Sequence, residues 1–173
     1  MTERKERILA VALELFANEG FNKTSTKRIA EQAEVSEGLL FKHFGNKKGI
    51  LEAIIDQLGQ KMKASEQMLS ELDDPKEVLS MSIHMPFQLT DEEADFWRLQ
   101  FKLKWDVAYE NPNKMNGYVD LLTQSFKKLG YDNAEIEAIL FSNQIEMLML
   151  EILRGNREKI EPVRDFLLSR YVS

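Results

Sequence analysis

The sequence contains no cysteine, and this absence excludes disulfide bridges, thiolate metal sites and cysteine nucleophiles. A chain without cysteine suits a reducing compartment, so we predict a cytoplasmic location. No run approaches the roughly 18 apolar residues that a membrane-spanning helix needs. The first residues are charged and then amphipathic, unlike a secretory signal peptide, and we expect no membrane partner.

Glycine and proline are also scarce, with 8 and 4 residues in a chain of 173. They stand at the ends of segments with helical periodicity, and we find no persuasive alternating strand pattern. The sequence therefore predicts an all-α protein of nine helices. Four are predicted over Thr2–Asn18, Thr26–Ala33, from the Ser36 cap to Phe44, and over Lys47–Leu69. Five more are predicted to start near Pro75, Asp91, Pro112 and Asp132, with Pro162 in the first turn of the last.

Positive charge is not in excess, because the net charge is −6. Its distribution is uneven, however. Residues 1–50 carry 9 Lys and Arg against 7 Asp and Glu, a net charge of +2, and residues 51–173 carry a net charge of −8. A polyanion is therefore expected to bind through the N-terminal part only, although ordinary surface charge gives the same asymmetry.

Catalytic signatures are missing as well. The sequence has no nucleophile–histidine–acid set, no glycine loop that cradles phosphate and no metal-ligand spacing. Its two histidines, His43 and His84, make no metal triad. We therefore predict that the protein is not an enzyme and has no cofactor or metal.

The most informative stretch is residues 24–50, where two short helices are joined by a tight turn. Such a pair is not stable alone, and the first helix offers an apolar stripe that covers it. The contacts expected from the pair are those of Ile29, Ala30, Val35, Leu40 and Phe44. This arrangement predicts a helix-turn-helix, whose second helix enters the major groove of DNA.

The remaining positions of this stretch suit contacts with DNA. Hydroxyl groups and lysines suit phosphates, whereas Glu37, Leu39 and Lys42 are placed to reach base edges. Glu37 has two interpretations, since a carboxylate either specifies a cytosine or repels phosphate. The expected DNA-binding residues are Thr24, Ser25, Thr26, Lys27, Ser36, Glu37, Gly38, Leu39, Phe41, Lys42, His43 and Lys47.

The N-terminal quarter of the chain combines several short motifs at fixed spacing, namely Leu15-Phe16, Gly20-Phe21, Thr24-Ser25, Ile29-Ala30, Val35-Ser36-Glu37-Gly38, Phe41, His43-Phe44 and Asn46-Lys47. In these positions it resembles the TetR family of bacterial transcriptional regulators. The resemblance implies an Ω-shaped homodimer in which helices 1–3 bind operator DNA and helices 4–9 regulate. Phosphate contacts are implied for Thr24, Lys27, Phe41, His43 and Lys47.

Three positions depart from the family pattern. Glu34 occupies a turn position often filled by glycine, which predicts slight strain. Phe41 replaces the common tyrosine and loses a hydroxyl contact, and Glu37 places an acid on the recognition helix.

The helix predicted from Asp132 to Arg154 is apolar nearly all round, so it must be buried on more than one side. Together with the last helix it is expected to form the dimer interface, as the family resemblance also implies; the alternative is that both helices fill a monomer core. The interface residues expected are Phe141, Ile145, Leu148, Ile152, Val163, Phe166 and Leu167.

The middle helices are rich in aromatic residues and methionine, which suit a lipophilic guest or an ordinary core. We favour Trp97, Phe101, Trp105 and Tyr118 as lining a ligand pocket. The predicted domains are residues 1–46, which bind DNA, and residues 47–173, which regulate and dimerise and begin with a connecting helix over 47–69.

The sequence thus predicts a repressor that a small lipophilic ligand releases from a palindromic operator, with the connecting helix transmitting the change. The alternative is an architectural or partner-controlled DNA-binding protein without an inducer.

Overall fold

The computed structural model of the protein describes residues 3–104 and 116–173. Over these ranges it contains nine α-helices, one 3₁₀ turn (Met85–Gln88) and no strand. The prediction of an all-α fold is therefore confirmed. In the part of the chain described, no helix is both long and apolar enough to cross a membrane. The helices are α1 (Glu3–Glu19), α2 (Thr26–Gln32), α3 (Glu37–Phe44), α4 (Lys47–Ser70), α5 (Pro75–His84), α6 (Asp91–Lys104), α7 (Asn116–Lys128), α8 (Ala134–Leu153) and α9 (Arg157–Tyr171).

Local capping signals set the starts of the N-terminal helices. The Ser25 hydroxyl accepts the backbone N–H of Arg28 at 3.1 Å, and the Ser36 hydroxyl accepts that of Leu39 at 3.2 Å. At the start of α4, the Asn46 side-chain oxygen accepts the N–H of Gly49 at 2.9 Å. Each cap satisfies a donor that the helix leaves unpaired, and all three agree with the sequence.

Two further starts also follow their sequence signals. Asp74 accepts the N–H of Lys76 at 2.8 Å and caps α5. Thr90 and Glu93 form a reciprocal capping box at α6, because the Glu93 carboxylate accepts the Thr90 N–H at 2.8 Å while the Thr90 hydroxyl accepts the Glu93 N–H at 3.3 Å.

The last two helices begin elsewhere than predicted. The cap of α8 is Asn133, one residue after Asp132, and its side chain makes no capping hydrogen bond. Because Gly155 ends α8 with a positive φ of 81° and α9 starts two residues later, Pro162 lies inside α9 and not in its first turn. Proline has no N–H, so α9 lacks one internal hydrogen bond there.

The described helices form two compact units, and the boundary between them falls within α4. The first unit contains α1 to α3, α4 as far as Met62, and α6. Its core joins the predicted helix-turn-helix residues to Phe96, Leu99 and Leu103 of α6. The sequence did not predict that α6 belongs to this core. This helix packs mainly on α1.

The second unit contains the end of α4 from Lys63, α5 with the 3₁₀ turn, and the described parts of α7, α8 and α9. In it α7 packs on α8, and α5 packs on both α7 and α9. Its centre is an edge-to-face cluster of rings formed by Phe126, Tyr131, Phe141 and Tyr171. The compact units therefore do not follow the predicted division at residue 46, which stays a prediction about function.

Candidate nucleic-acid interface

The turn between α2 and α3 is held by a residue of α1. Glu34 has a φ of +53°, the one positive value outside glycine in the described ranges, which costs a residue with a Cβ about 1–2 kcal/mol. The Arg7 guanidinium donates to the Ala33 carbonyl at 2.7 Å and to the Glu34 carbonyl at 3.4 Å. These bonds fix the turn and therefore the angle between the two helices.

Helix α3 buries one side and leaves the other open. Leu40 is its one fully buried residue, while Gly38 and Lys42 are exposed on the opposite side. Phe41 lies beside them with 44% of its surface exposed, although an aromatic side chain normally avoids water. A side chain built at Gly38 would meet nothing within 4 Å. The protein's own packing therefore does not require glycine there, and the open side is free for a partner.

The hydroxyl of Thr24 does not face outward as expected. Thr24 is buried, and its hydroxyl donates to the Gly20 carbonyl at 3.0 Å, at the end of α1. A threonine hydroxyl has a single hydrogen to donate. In this conformation the hydroxyl closes the end of α1, so a phosphate contact from this side chain would require it to turn outward, and the contact stays a prediction.

Thr26 and Glu37 contact each other across the turn. The Thr26 hydroxyl donates to the Glu37 carboxylate at 2.6 Å, and both residues are half-buried. Thr26 is the first residue of α2 and Glu37 the first residue of α3. The bond therefore joins the starts of the two helices and fixes the direction of the carboxylate.

Lys47 is bonded inside the first unit. Its ammonium donates to the Phe21 carbonyl at 2.8 Å and to the Thr24 carbonyl at 3.0 Å, and lies 4.4 Å from the centre of the Phe21 ring. These contacts tie the start of α4 to the loop before α2. The sequence indicated a phosphate contact for Lys47 and did not reveal this structural role.

The other predicted cations differ in how free they are. Lys27 is exposed, with only a 3.9 Å approach to Glu31 one turn further along α2, and Lys42 is exposed on α3. His43 is half-buried beside the Phe44 ring. Arg28, in contrast, is paired with Glu19 at 2.6 Å. Near these residues lies a concavity of about 340 Å³ lined by Asn22, Lys23, Thr24, Ser25, Thr26 and Lys47.

The residues predicted to form a dimer interface divide between two environments. Four of them, Phe141, Ile145, Leu148 and Leu167, lie in the core of the second unit. Ile152 and Val163 are half-buried, and only Phe166 is largely exposed, at 60%. In this conformation the four buried side chains have almost no surface left for a partner, and the predicted interface stays a prediction.

A different set of apolar residues is exposed on the same two helices. On α8, Ile136, Ile139, Leu140 and Met147 are between 40% and 59% exposed. They follow helical spacing and lie opposite the buried set. Together with Phe166 of α9 we call them the apolar face. The all-round apolar character of α8 thus comes from a core side and an unpartnered side.

The predicted pocket residues are divided between the two units and a segment outside the described residues. Trp97 and Phe101 belong to the first unit, where their ring centres are 6.1 Å apart and Trp97 packs against the core. Tyr118 belongs to the second unit. Trp105 lies outside the described residues. A pocket lined by these four residues therefore stays a prediction.

Tyr118 has an unusual environment within the second unit. Its hydroxyl is buried beside the Ser82 hydroxyl but makes no hydrogen bond of good geometry with a described residue. Burial raises the pKa of Tyr118 to about 12, and the Ser82 hydroxyl opposes the rise. A separate concavity of about 460 Å³ between α7 and α8 is lined by Val119, Asp120, Thr123, Gln124, Lys127, Glu135 and Ile139, none of which was predicted as a pocket residue.

Together, the cap-fixed α2–α3 pair and the open side of α3 define a helix-turn-helix protein. Residues 8–54 match the family model described as bacterial regulatory proteins of the tetR family. This segment contains all of α2 and α3. The chain belongs to the TetR family, as the sequence motif indicated.

Curated relatives agree with this assignment. The chain is 36% identical over 138 residues to the uncharacterised helix-turn-helix regulator YerO of Bacillus subtilis, an overlap that covers 78% of the chain and 46% of YerO. It is 32% identical over 107 residues to the uncharacterised regulator YvkB of the same organism, covering 53% of the chain and 57% of YvkB. The chain thus spans about half the length of the curated relatives it matches.

Solved structures share the fold over nearly the whole chain. The regulator FadR from Bacillus subtilis, in complex with stearoyl-CoA, has a TM-score of 0.66 at 18% identity and covers 97% of both chains. AibR, in complex with isovaleryl coenzyme A and operator DNA, has a TM-score of 0.65 at 19% identity, covering 85% of this chain and 86% of its own. At these identities the likeness shows the fold.

Sequence reasoning missed two groups that shape this site. Arg7 stands on the polar side of α1, and no local signal connects it with a turn 26 residues later. The Thr26–Glu37 bond also depends on the angle between two helices. Capping residues could be recognised in the sequence because a cap and its partner are three residues apart. The Arg7 and Thr26–Glu37 contacts join residues that come together only in the folded protein.

We predict that Lys47→Met lowers the free energy of unfolding by about 1–3 kcal/mol, because two backbone carbonyls lose a charged donor. Chemical denaturation of the full chain measures this effect. The matched control is Lys48→Met, since Lys48 is exposed and only approaches Glu52 at 3.6 Å; its cost should stay below about 0.5 kcal/mol. Equal effects of the two substitutions would contradict the structural role of Lys47.

Proposed function

We propose that this protein is a sequence-specific DNA-binding transcriptional regulator that acts as a homodimer and is released from its operator by a small lipophilic ligand. The single observation that carries the DNA-binding part is the open side of α3. There Gly38, Phe41 and Lys42 are exposed on a helix that its caps and the Arg7 bonds hold in place. A recognition helix reads base edges in the major groove with such a side.

The residues around α3 have distinct roles in this proposal. Lys42 and Lys27 supply charge toward phosphates and bases, because among the described residues they have no close partner comparable to that of Arg28. Phe41 offers an apolar surface to a thymine methyl group or a sugar. Ser25 and Ser36 already cap helices and contribute mainly by placing backbone N–H groups. Leu39 and His43 stay candidate contacts at the edges of the open side.

Selection of bound sequences from a random pool of duplex DNA tests this function. We expect the full chain to select a palindrome whose half-sites are about one helical turn apart, because a two-fold dimer presents two identical helices. Affinity should fall with salt as phosphate contacts are lost. Failure to select any sequence even at low salt would contradict the proposal.

The apolar face supports dimerisation. It exposes five large apolar side chains on α8 and α9, and Phe166 and Leu140 are both more than half exposed. The four on α8 share one side of that helix, and exposed apolar residues clustered in this way mark interaction surfaces. A second copy of the same face is the partner proposed here, since identical surfaces pair in a two-fold dimer.

We predict that Leu140→Glu weakens self-association at least about hundredfold, since each of two copies loses roughly 1.5–3 kcal/mol of apolar burial. Sedimentation analysis of the purified chain measures the monomer–dimer equilibrium. Met68→Glu is the control, because Met68 is an exposed methionine of α4 outside the apolar face. A dimer that withstands Leu140→Glu as well as Met68→Glu would place the interface elsewhere.

The ligand part of the proposal draws on the fold relatives and on Tyr118. FadR and AibR are described with stearoyl-CoA and isovaleryl coenzyme A. A buried hydroxyl that lacks a good hydrogen bond costs about 1–3 kcal/mol; among the described residues Tyr118 has none of good geometry, and a polar atom of a ligand would satisfy it. The selected DNA can be used to test release by acyl-CoA thioesters and free fatty acids. Release favours a ligand sensor, and retention in every case favours the architectural or partner-controlled alternative.

A further inference from the structure

We infer that Glu37, held in position by Thr26, determines the preferred base at one position in each operator half-site, where it accepts a hydrogen bond from the amino group of a cytosine. This inference rests on the proposed DNA-binding function and adds a specificity residue and a positioning residue to it. The observation that carries it is the 2.6 Å bond from the Thr26 hydroxyl to one Glu37 oxygen.

The bond restrains a side chain that would otherwise rotate freely. Glutamate has three side-chain torsions, and ordering it at an interface normally costs entropy. Thr26, the first residue of α2, already fixes one carboxylate oxygen of Glu37 through its hydrogen bond. The second oxygen makes no hydrogen bond or ion pair with any described residue, so it can accept a donor from a partner.

The location of Glu37 favours a base over a phosphate as that partner. Glu37 is the first residue of the eight-residue helix α3, and recognition helices contact base edges with their N-terminal residues. A carboxylate carries no donor and repels phosphate oxygens, whereas the cytosine amino group in the major groove offers donors. A carboxylate at this end of the helix also interacts favourably with the positive end of the helix dipole.

The same geometry explains how the recognition helix of a DNA-binding protein tolerates the acidic residue Glu37. Lys42 stands five residues after Glu37 on the exposed side of α3, so the recognition helix carries both a cation and an acceptor. Lysine suits guanine, and an acid suits cytosine. The pair therefore offers complementary readout of G·C pairs, and a mismatch opposite Glu37 leaves a carboxylate without a donor.

Selection from random DNA with the wild-type chain and with Glu37→Gln tests the inference. Glutamine keeps the length of the side chain and an oxygen for Thr26, but it puts an amide donor in place of the second oxygen, and a donor there requires an acceptor on the base. We expect one symmetric position to lose at least about fivefold of its cytosine preference in favour of a base with a major-groove acceptor, such as thymine through its O4. Glu31→Gln is the control, because Glu31 is an exposed acid of α2 whose removal changes the net charge equally.

The role of Thr26 is tested separately with Thr26→Val and Thr26→Ser. Valine removes the hydroxyl at nearly constant volume, and we expect the preference at that position to weaken by about threefold or more while its identity is kept; serine should restore it. Helix content and thermal unfolding confirm that each variant is folded. An unchanged preference in Thr26→Val would overturn the positioning role.

The outcomes separate this inference from the proposed function. If the wild-type chain selects no sequence, the DNA-binding proposal fails. If it selects a palindrome and Glu37→Gln selects the same bases at every position, only the inference fails, and the Thr26–Glu37 bond serves to join two helices. A change that also appears in Glu31→Gln would likewise overturn it, since the effect would then come from net charge.

Discussion

Packing of α6 on α1 is the interaction on which the helix-turn-helix head, made of α1 to α3, depends. Phe96, Leu99 and Leu103 are buried in the same core as the apolar residues of α1 to α3, and each contributes roughly 1.5–3 kcal/mol. Lys102 adds a hydrogen bond of 3.0 Å to the Asn18 carbonyl near the end of α1. The head is therefore completed by a helix more than 40 residues further along the sequence. Through this packing, α6 supports α1, the helix on which α2 packs.

Basic side chains of the first unit serve its structure as well as its charge. Arg7 closes the turn before α3, and Lys47 ties α4 to the loop before α2. Arg28 is neutralised by Glu19. Several basic side chains of residues 1–50 thus make contacts inside the fold, which leaves fewer cations exposed than the sequence count suggests. In the proposed mode of DNA binding, specificity then depends more on the few side chains fixed at the start of α3, among which Glu37 is held by Thr26.

Sequence patterns predicted those features that arise from neighbouring residues. The nine helices and most of their starts follow from caps such as Ser25, Ser36 and Thr90, because the capping residue and its partner are three positions apart. The buried side of α8 was not predictable in the same way. Since that helix is apolar nearly all round, its periodicity does not distinguish Phe141, which is buried, from Leu140, which is exposed. The inward bonds of Thr24 and Lys47 and the packing of α6 depend on contacts between distant segments, which local patterns do not contain.

Hydrogen–deuterium exchange of the full chain carrying Leu99→Ala tests most directly whether α6 supports the head. Truncating this buried side chain lowers the free energy of unfolding by about 2–5 kcal/mol. If α6 supports α1, amide exchange in α1 to α3 becomes faster. Leu79→Ala, at an equally buried position in the core of the second unit, should leave exchange in α1 nearly unchanged. Protection of α1 that persists in Leu99→Ala, or that falls equally in Leu79→Ala, would contradict the claim.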